Sequence, residues 1–511
     1  MHKIAETIKK NKQTLFTVLL YGIIMFFINL RGPLIDNDTI EYIRFAQIIE
    51  EGNFPYSRFY QPGLGFMIYF VKSVFFTDFL TAFRIVNSIA GLGLILTLKG
   101  FWNMAYGEHK ILPVILASTP TIIYLSSLLY ADIVFDFLAF TAILFLVRAY
   151  KDRFSFSALF WSSILTTLAI FTKYNALVVL VCGLLFILLN YVFVRHELSL
   201  LLKKILVFCI LPFAYLLFWK LFNGSLAMVE FTKWIEPVTL DCIFRYLKIN
   251  WISTYHLLLD RGFIGLELFL NHKLILLLNL LIVGFLIYRT DITLNRLIIY
   301  TKKNRAFLVI LLFTLMYTFA LNTMESLNCR KEPSVRLYSV CFIGLGFLIL
   351  GSIYKLFYVI NRPLLITGFI VSATCYNALV LIRIYGDTEG VVIDMKNKPY
   401  IETISYLKTQ KKSGQVAGFA TPKFNRYWFA MGGDFKAMGI FSYQHHHEMD
   451  HNYVYDDSTY LEMVNGKLNS LNTGQFLVVE METNFMNKQL HRLSFSEKVF
   501  HSGNLMVFRK Q

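Results

Sequence analysis

The chain has little charge: only 16% of its 511 residues are Asp, Glu, Lys or Arg, against 56% hydrophobic and 16% aromatic. A soluble fold of this length cannot bury so much apolar surface, so a purely aqueous protein is excluded. Cysteine is scarce too, with six residues at no metal-ligand spacing, which removes zinc-ribbon and CxxC redox chemistry. Cys182, Cys209, Cys341 and Cys375 fall in apolar runs, where a thiol packs as a small hydrophobe. Cys242 and Cys329 fall in segments read as external, where a disulfide between them is open. There is no internal repeat and no low-complexity tract. The charge that is present is lopsided, 49 basic against 33 acidic residues. Its basic members cluster in short segments between apolar runs, the positive-inside distribution of a membrane protein rather than a nucleic-acid footprint, so no nucleic-acid partner is expected.

What the chain has in abundance is apolar runs long enough to cross a bilayer. They fall near 14–30, 82–104, 111–130, 132–149, 156–172, 175–194, 203–222, 263–287, 306–322, 337–358 and 363–383, about eleven spans. The N-terminus carries Lys3 to Lys12 before its first run and no small-residue cleavage site, so the first helix is read as uncleaved with its amino end inside. Alternation then places the Lys- and Arg-rich segments Lys151–Arg153, Arg195–Lys204, Arg289–Arg305 and Lys355–Arg362 inside as well. Three outer segments are longer than turns: about 31–81, 223–262 and the tail from about 384, and function is expected there. Gly63–Phe76 reads as a helix lying at the interface. The 223–262 segment mixes Trp234, Tyr246, Trp251 and Tyr255 with Arg245, Lys248 and Arg261, a mixture suited to headgroup depth. The tail alternates helix and strand patterns and reads as a soluble α/β domain, 384–511, following a membrane module, 1–383.

Carboxylates gather where the first span emerges, in Ile35-Asp36-Asn37-Asp38-Thr39-Ile40-Glu41-Tyr42, and charge near hydrocarbon marks function. Asp38 with Glu41 three residues on also fits a capping box; the two readings are compatible. Asp132 and Asp136 share a helix face at the start of a span, Asp132 at its outer turn, where capping is the alternative to a site role. Basic residues outside are exceptions to the charge rule, which makes Arg84, Lys173 and Arg336 informative; snorkelling to headgroups is the alternative for each. The tail holds His445-His446-His447-Glu448-Met449-Asp450-His451, which formally contains His-Glu-x-x-His. That motif needs an amphipathic helix, whereas this stretch is polar throughout, so no metal site is assigned.

The order of these features resembles a known family. An Asp-x-x-x-Tyr pattern after the first helix (Asp38, Tyr42), the segment Tyr60-Gln61-Pro62-Gly63, and Arg84 opening the next span resemble the GT-C membrane glycosyltransferases. Ser118-Thr119-Pro120, Tyr130-Ala131-Asp132, Phe171-Thr172-Lys173-Tyr174 and Arg336-Leu337-Tyr338 continue the likeness over about 14–380. It is strongest to the protein-mannosyltransferase and aminoarabinose-transferase branch. The chain departs from that pattern in Asn37 between two aspartates and in one proline where relatives carry two.

The resemblance implies a polytopic α-helical enzyme of the inner (cell) membrane with its C-terminal domain outside. It would move a sugar, with inversion, from a polyprenyl-phosphate donor to a lipid-linked glycan, glycolipid or protein acceptor. Asp38 is the implied base, with Asp36 orienting the acceptor or raising its neighbour's basicity. Arg84, Lys173 and Arg336 are the implied phosphate ligands, and Tyr42, Tyr60, Asp132 and Tyr338 are implied to line the substrate site. No cofactor is fixed, and a divalent cation on Asp36, Asp38 and Asp132 stays open. Two competing classes remain. A flippase or transporter of lipid-linked sugars predicts paired halves, which the sequence lacks. A membrane-anchored metalloprotease would depend on His447, Glu448 and His451.

Overall fold

The computed structural model describes residues 2–29, 37–55, 60–106, 119–150, 154–194, 198–223, 240–257, 305–327, 337–360, 398–410, 417–419, 424, 427–428, 438–439, 476–480, 497–503 and 505–509. The expected spans at 263–287 and 363–383 lie outside them, as do Asp36, Arg336 and His445–His451. The described helices are α1 (His2–Asn29), α2 (Asn37–Glu50), α3 (Gly63–Phe75), α4 (Phe79–Tyr106), α5 (Pro120–Ser127), α6 (Asp132–Ala149), α7 (Phe156–Thr172), α8 (Leu177–Val194), α9 (Leu198–Asn223), α10 (Leu240–Leu257), α11 (Arg305–Leu327), α12 (Ser339–Ile360) and α13 (Lys398–Gln410). Among the described residues, four stretches are long and apolar enough to cross a membrane: Phe79–Tyr106, Tyr174–Val192, Leu198–Phe222 and Arg305–Leu327.

Helix α4 shows how the sequence places itself. Ala82, Phe83, Val86, Asn87, Ala90, Gly91, Leu94, Ile95, Leu98, Phe101 and Trp102 are buried, the three-and-four spacing of one helix face. Helix α6 is buried nearly all round, as expected of a central element. It packs between α4 and α7, with Ser162 Oγ of α7 donating to the Ala142 carbonyl at 2.8 Å and Thr97 meeting Thr141 at 2.8 Å. Leu202, Leu206, Phe213 and Leu217 of α9 are exposed, which is what a lipid-facing side requires.

The expected span at 111–130 is not one continuous helix. Pro120, which has no N–H to lose at a helix start, opens a helix of only eight residues, and Leu128 is extended. Helix α4 starts cleanly because Asp78 caps it, accepting from Thr81 N at 2.9 Å and Thr81 Oγ1 at 2.6 Å. Burial raises the Asp78 carboxyl, but these and further backbone hydrogen bonds outweigh it, and it sits below the usual carboxylate range. Its contribution to stability is therefore present above the unfolded-state value and lost as pH falls through the lower folded one. We expect Asp78→Ala to cost about 1 kcal/mol at neutral pH and much less at acid pH, read from unfolding midpoints in detergent.

Helices α3 and α7 meet at a glycine. A Cβ on Gly63 would lie 2.5 Å from the Phe171 carbonyl oxygen, so only glycine lets the start of α3 reach the end of α7. Gly63→Ala is expected to destabilise by about 1–3 kcal/mol, measured by thermal unfolding.

The C-terminal part holds α13 and the strands β1 (Ala417–Phe419), β2 (Met438–Gly439), β3 (Phe476–Glu480), β4 (Glu497–Ser502) and β5 (Leu505–Arg509). They form a sheet in the order β2-β1-β3-β5-β4, with β1 parallel to β2 and β3, and β5 antiparallel to β3 and β4. Gly503, at φ +57°, turns the β4–β5 hairpin. Helix α13 lies on it through Tyr406, stacked on Phe500 at 4.4 Å, and Glu402, which accepts from Ser502 Oγ at 2.6 Å.

Cys242 on α10 is disulfide-bonded. Cys182, Cys209 and Cys341 are free and buried, and Cys329 and Cys375 lie outside the described residues.

Candidate active site

The acidic segment after α1 begins α2. Helix α2 starts at Asn37, so Asp38 lies in the first turn rather than at the cap position that sequence spacing suggests. There the helix dipole favours a carboxylate, and Asp38 Oδ1 accepts a hydrogen bond from the Tyr60 hydroxyl at 2.7 Å. Tyr42, one turn on and buried, meets the Tyr60 ring edge-to-face at 5.4 Å and the Phe83 ring at 6.2 Å. Tyr60 is thus held by a ring as well as by the acid. Glu41 pairs with Arg44 at 3.5 Å; burial raises its carboxyl, against the pull of Arg44 and with the help of the Asp38 charge.

The Tyr60-Gln61-Pro62-Gly63 segment leads into α3. Gln61 is buried and its side-chain oxygen accepts from the Tyr215 hydroxyl of α9, while Gly63 sits on Phe171. Two side chains tie this loop to the next motif. Thr39 Oγ1 donates to the Leu129 carbonyl at 2.9 Å, and Asn87 Nδ2 of α4 donates to the carbonyls of Leu128 at 2.5 Å and Tyr130 at 3.2 Å. The extended residues that precede α6 are thereby fixed against α2 and α4.

Those residues deliver Asp132. It opens α6 without capping it, since the cap position is Ala131 with no side-chain bond. Asp132 instead forms an ion pair with Lys173, the residue at which α7 ends in extended geometry. The Asp132 side chain is 5% exposed and that of Lys173 19%, so this lysine turns inward rather than snorkelling. Its ammonium lies 5.9 Å from the centre of the Phe135 ring. Asp136, one turn deeper, is fully buried; the Ser339 hydroxyl faces it without closing a hydrogen bond.

Beyond Lys173, Asn175 donates to the Tyr317 hydroxyl at 3.4 Å, and Tyr317 donates to the Leu337 carbonyl at 3.2 Å. The buried Tyr338 donates to Asn322 Oδ1 at 2.5 Å. Arg336 directly precedes this pair. Arg84 is half-buried in the second turn of α4 and makes no hydrogen bond or ion pair among the described residues. The Asp78 carboxylate at the start of the same helix attracts it.

The structure thus brings Asp38 with Tyr60 and Tyr42, and Asp132 with Lys173, onto supports joined by Thr39 and Asn87. Tyr338 lies on a separate hydrogen-bonded chain through α11. Thr39, Gln61, Asn87, Asn175, Tyr215 and Tyr317 are the positioning residues that sequence reasoning did not single out; the signal was polar side chains inside apolar runs. Among the described residues, no three His, Cys, Asp or Glu side chains converge as metal ligands. A carboxylate on one support and a buried ammonium on the next can accept a proton and stabilise an anion, the two requirements of an acid-base displacement.

No family model and no curated protein sequence matches the chain. Solved structures do. ArnT from Cupriavidus metallidurans in the apo state is similar at 12% identity and a TM-score of 0.58, with 98% of each chain covered. The same protein bound to undecaprenyl phosphate is similar at 13% identity, with the same coverage and TM-score. The archaeal oligosaccharyltransferase AglB from Archaeoglobus fulgidus, in complex with an inhibitory peptide and a dolichol-phosphate, aligns at 14% identity over 95% of this chain and 71% of its own, with a TM-score of 0.47.

Proposed function

We propose that this chain, which has the fold of the multi-pass GT-C membrane glycosyltransferases, moves a sugar from a polyprenyl-phosphate donor to a glycan, glycolipid or protein acceptor at the extracytoplasmic face. The observation that carries the reading is the pairing just described: a first-turn carboxylate oriented by Tyr60, and a buried lysine on the neighbouring support. In the transfer, a lone pair of the acceptor hydroxyl or amine forms the bond to the anomeric carbon from the face opposite the phosphate. The carbon–phosphate oxygen bond breaks, its electrons leave on the polyprenyl phosphate, and Asp38 takes the acceptor proton. The configuration inverts because there is one displacement.

Asp36 would orient the acceptor. Lys173, Arg84 and Arg336 would hold the leaving phosphate, Arg by two hydrogen bonds and Lys as a point charge. Tyr42, Tyr60, Asp132 and Tyr338 would line the sugar and acceptor. About eleven spans, residues 1–383, would form the catalytic module in the inner membrane with the N-terminus inside. Helices α3 and α10 would lie at the outer interface, and the α13 and sheet region would belong to an extracytoplasmic α/β domain, 384–511.

The test is mass spectrometry of lipid extracts and envelope glycans from cells with and without the protein. Loss of one sugar modification, with its polyprenyl-phosphate sugar accumulating, is expected, and the mass difference names the sugar. Unchanged extracts and glycans would sink the reading.

A further inference from the structure

Helix α3 turns Leu64, Gly65, Ile68 and Val71 to the protein and leaves Phe70, Val74 and Phe75 exposed. The residue that ends it is unusual. Phe76 is 93% exposed and sits at φ +51°, where its N–H donates to the Lys72 carbonyl. Glycine usually closes a helix in that left-handed geometry, because a Cβ there crowds the backbone. Among the described residues, Phe76 is the only non-glycine at positive φ. The chain thus accepts backbone strain in order to point a large apolar ring away from itself, where almost no contact within the protein compensates for it.

Polar groups border this tip without covering it. Lys72 pairs with Glu50 at the end of α2 and holds its ammonium 4.4 Å from the centre of the Phe79 ring, while Asp78 caps α4. The ends of α2 and α3 and the start of α4 are thereby tied together, and Val74-Phe75-Phe76 protrudes from the junction. The exposed face of α3 also runs on into a span: Phe70 of α3 and Ile89 of α4 are both exposed and line one apolar hollow. Helix α4 is long and apolar enough to cross a membrane, so the surface that Phe70 continues is one that hydrocarbon covers. An apolar tip beside a charged collar, continuous with a lipid-facing side, is the pattern of a segment set at the boundary of headgroups and acyl chains.

We propose that Val74-Phe75-Phe76 is a wedge buried among lipid acyl chains, which fixes the depth of α3 in the bilayer. The helix has 13 residues, a rod of about 20 Å, and its other end, Gly63, follows directly on Tyr60-Gln61-Pro62. Anchoring the tip therefore sets the height of the Tyr60 segment, and with it the hydrogen bond to Asp38, relative to the membrane surface. The inference uses the interfacial placement of α3 and does not need the transfer reaction.

The test is photolabelling of the full-length protein in phosphatidylcholine nanodiscs, with a diazirine either at the end of an acyl chain or in the headgroup, read by peptide mass spectrometry. Residues 74–76 are expected to take the acyl-chain label several-fold over the headgroup label. Headgroup label alone, no label, or a cross-link from 74–76 to a second protein molecule in place of lipid would overturn the wedge. Phe76→Gly removes the ring and relieves the left-handed strain, so it is expected to unfold in detergent at no lower temperature than wild type. In nanodiscs it is expected to lose most of the acyl-chain label at 74–76 and to raise amide exchange across 60–66 several-fold, whereas Phe76→Leu keeps both near wild type. A folded glycine variant that labels and exchanges like wild type would overturn the proposal, and should that variant fail to fold, the wild-type labelling decides. Neither readout needs turnover, so the wedge can fail while transfer stands, and transfer can fail while 74–76 is still labelled.

Discussion

Asp38→Asn is expected to lower sugar transfer about 10²–10⁴-fold, the usual worth of a positioned general base, with little change in folding. Asparagine has the shape of aspartate, and its amide oxygen can still accept the Tyr60 hydroxyl that Asp38 accepts at 2.7 Å. What it cannot do is take a proton. The neighbouring acid is the control: Glu41 lies on the same helix, is paired with Arg44, and has its carboxyl raised by burial. Glu41→Gln is expected to stay within about threefold of wild type, since it removes a half-exposed ion pair and no reacting group. Rates would be measured in membranes at matched expression with the lipid donor identified by mass spectrometry. Full activity in Asp38→Asn would remove this carboxylate from the mechanism and leave transport of lipid-linked sugars as the better account of the fold.

Much of this arrangement can be read from the sequence because bilayer burial enforces long uniform runs. The run expected at 156–172 is helix α7, and the run at 203–222 falls within α9. Local chemistry is readable as well: Asp38, Asp132 and Lys173 stand out as charge beside apolar sequence, and the structure places all three at helix ends. Junctions between elements are harder. Nothing local to Gly63 says that Phe171 will press against it, and nothing near Asn87 says that it will bind two carbonyls more than forty residues away. The 111–130 run looks continuous by hydropathy, yet from Thr119 on it is a short helix opened by a proline and then a strap that carries Asp132. Even Asp38 shifts role by one position, because the choice between cap and first turn depends on backbone geometry that composition does not encode.

The Asp132–Lys173 pair offers the second large effect, and it separates stability from function. Replacing Lys173 by Met takes the ammonium away from Asp132, 5% exposed, beside a buried carboxyl at Asp136. Removing one member of such a pair costs about 3–5 kcal/mol. Lys173→Met is therefore expected to unfold at markedly lower temperature and to lose transfer. The double variant Lys173→Met with Asp132→Leu removes both charges and keeps the volume. It is expected to regain most of the lost stability, because two apolar side chains of similar size replace a buried ion pair at little or no net cost. If the lysine serves only to neutralise Asp132, binding of undecaprenyl phosphate returns with the fold. If it holds the donor phosphate, the double variant is stable and still binds undecaprenyl phosphate poorly. The stable, weakly binding outcome is the one expected from a buried ammonium at the end of α7, where a leaving phosphate must be met by charge already in place.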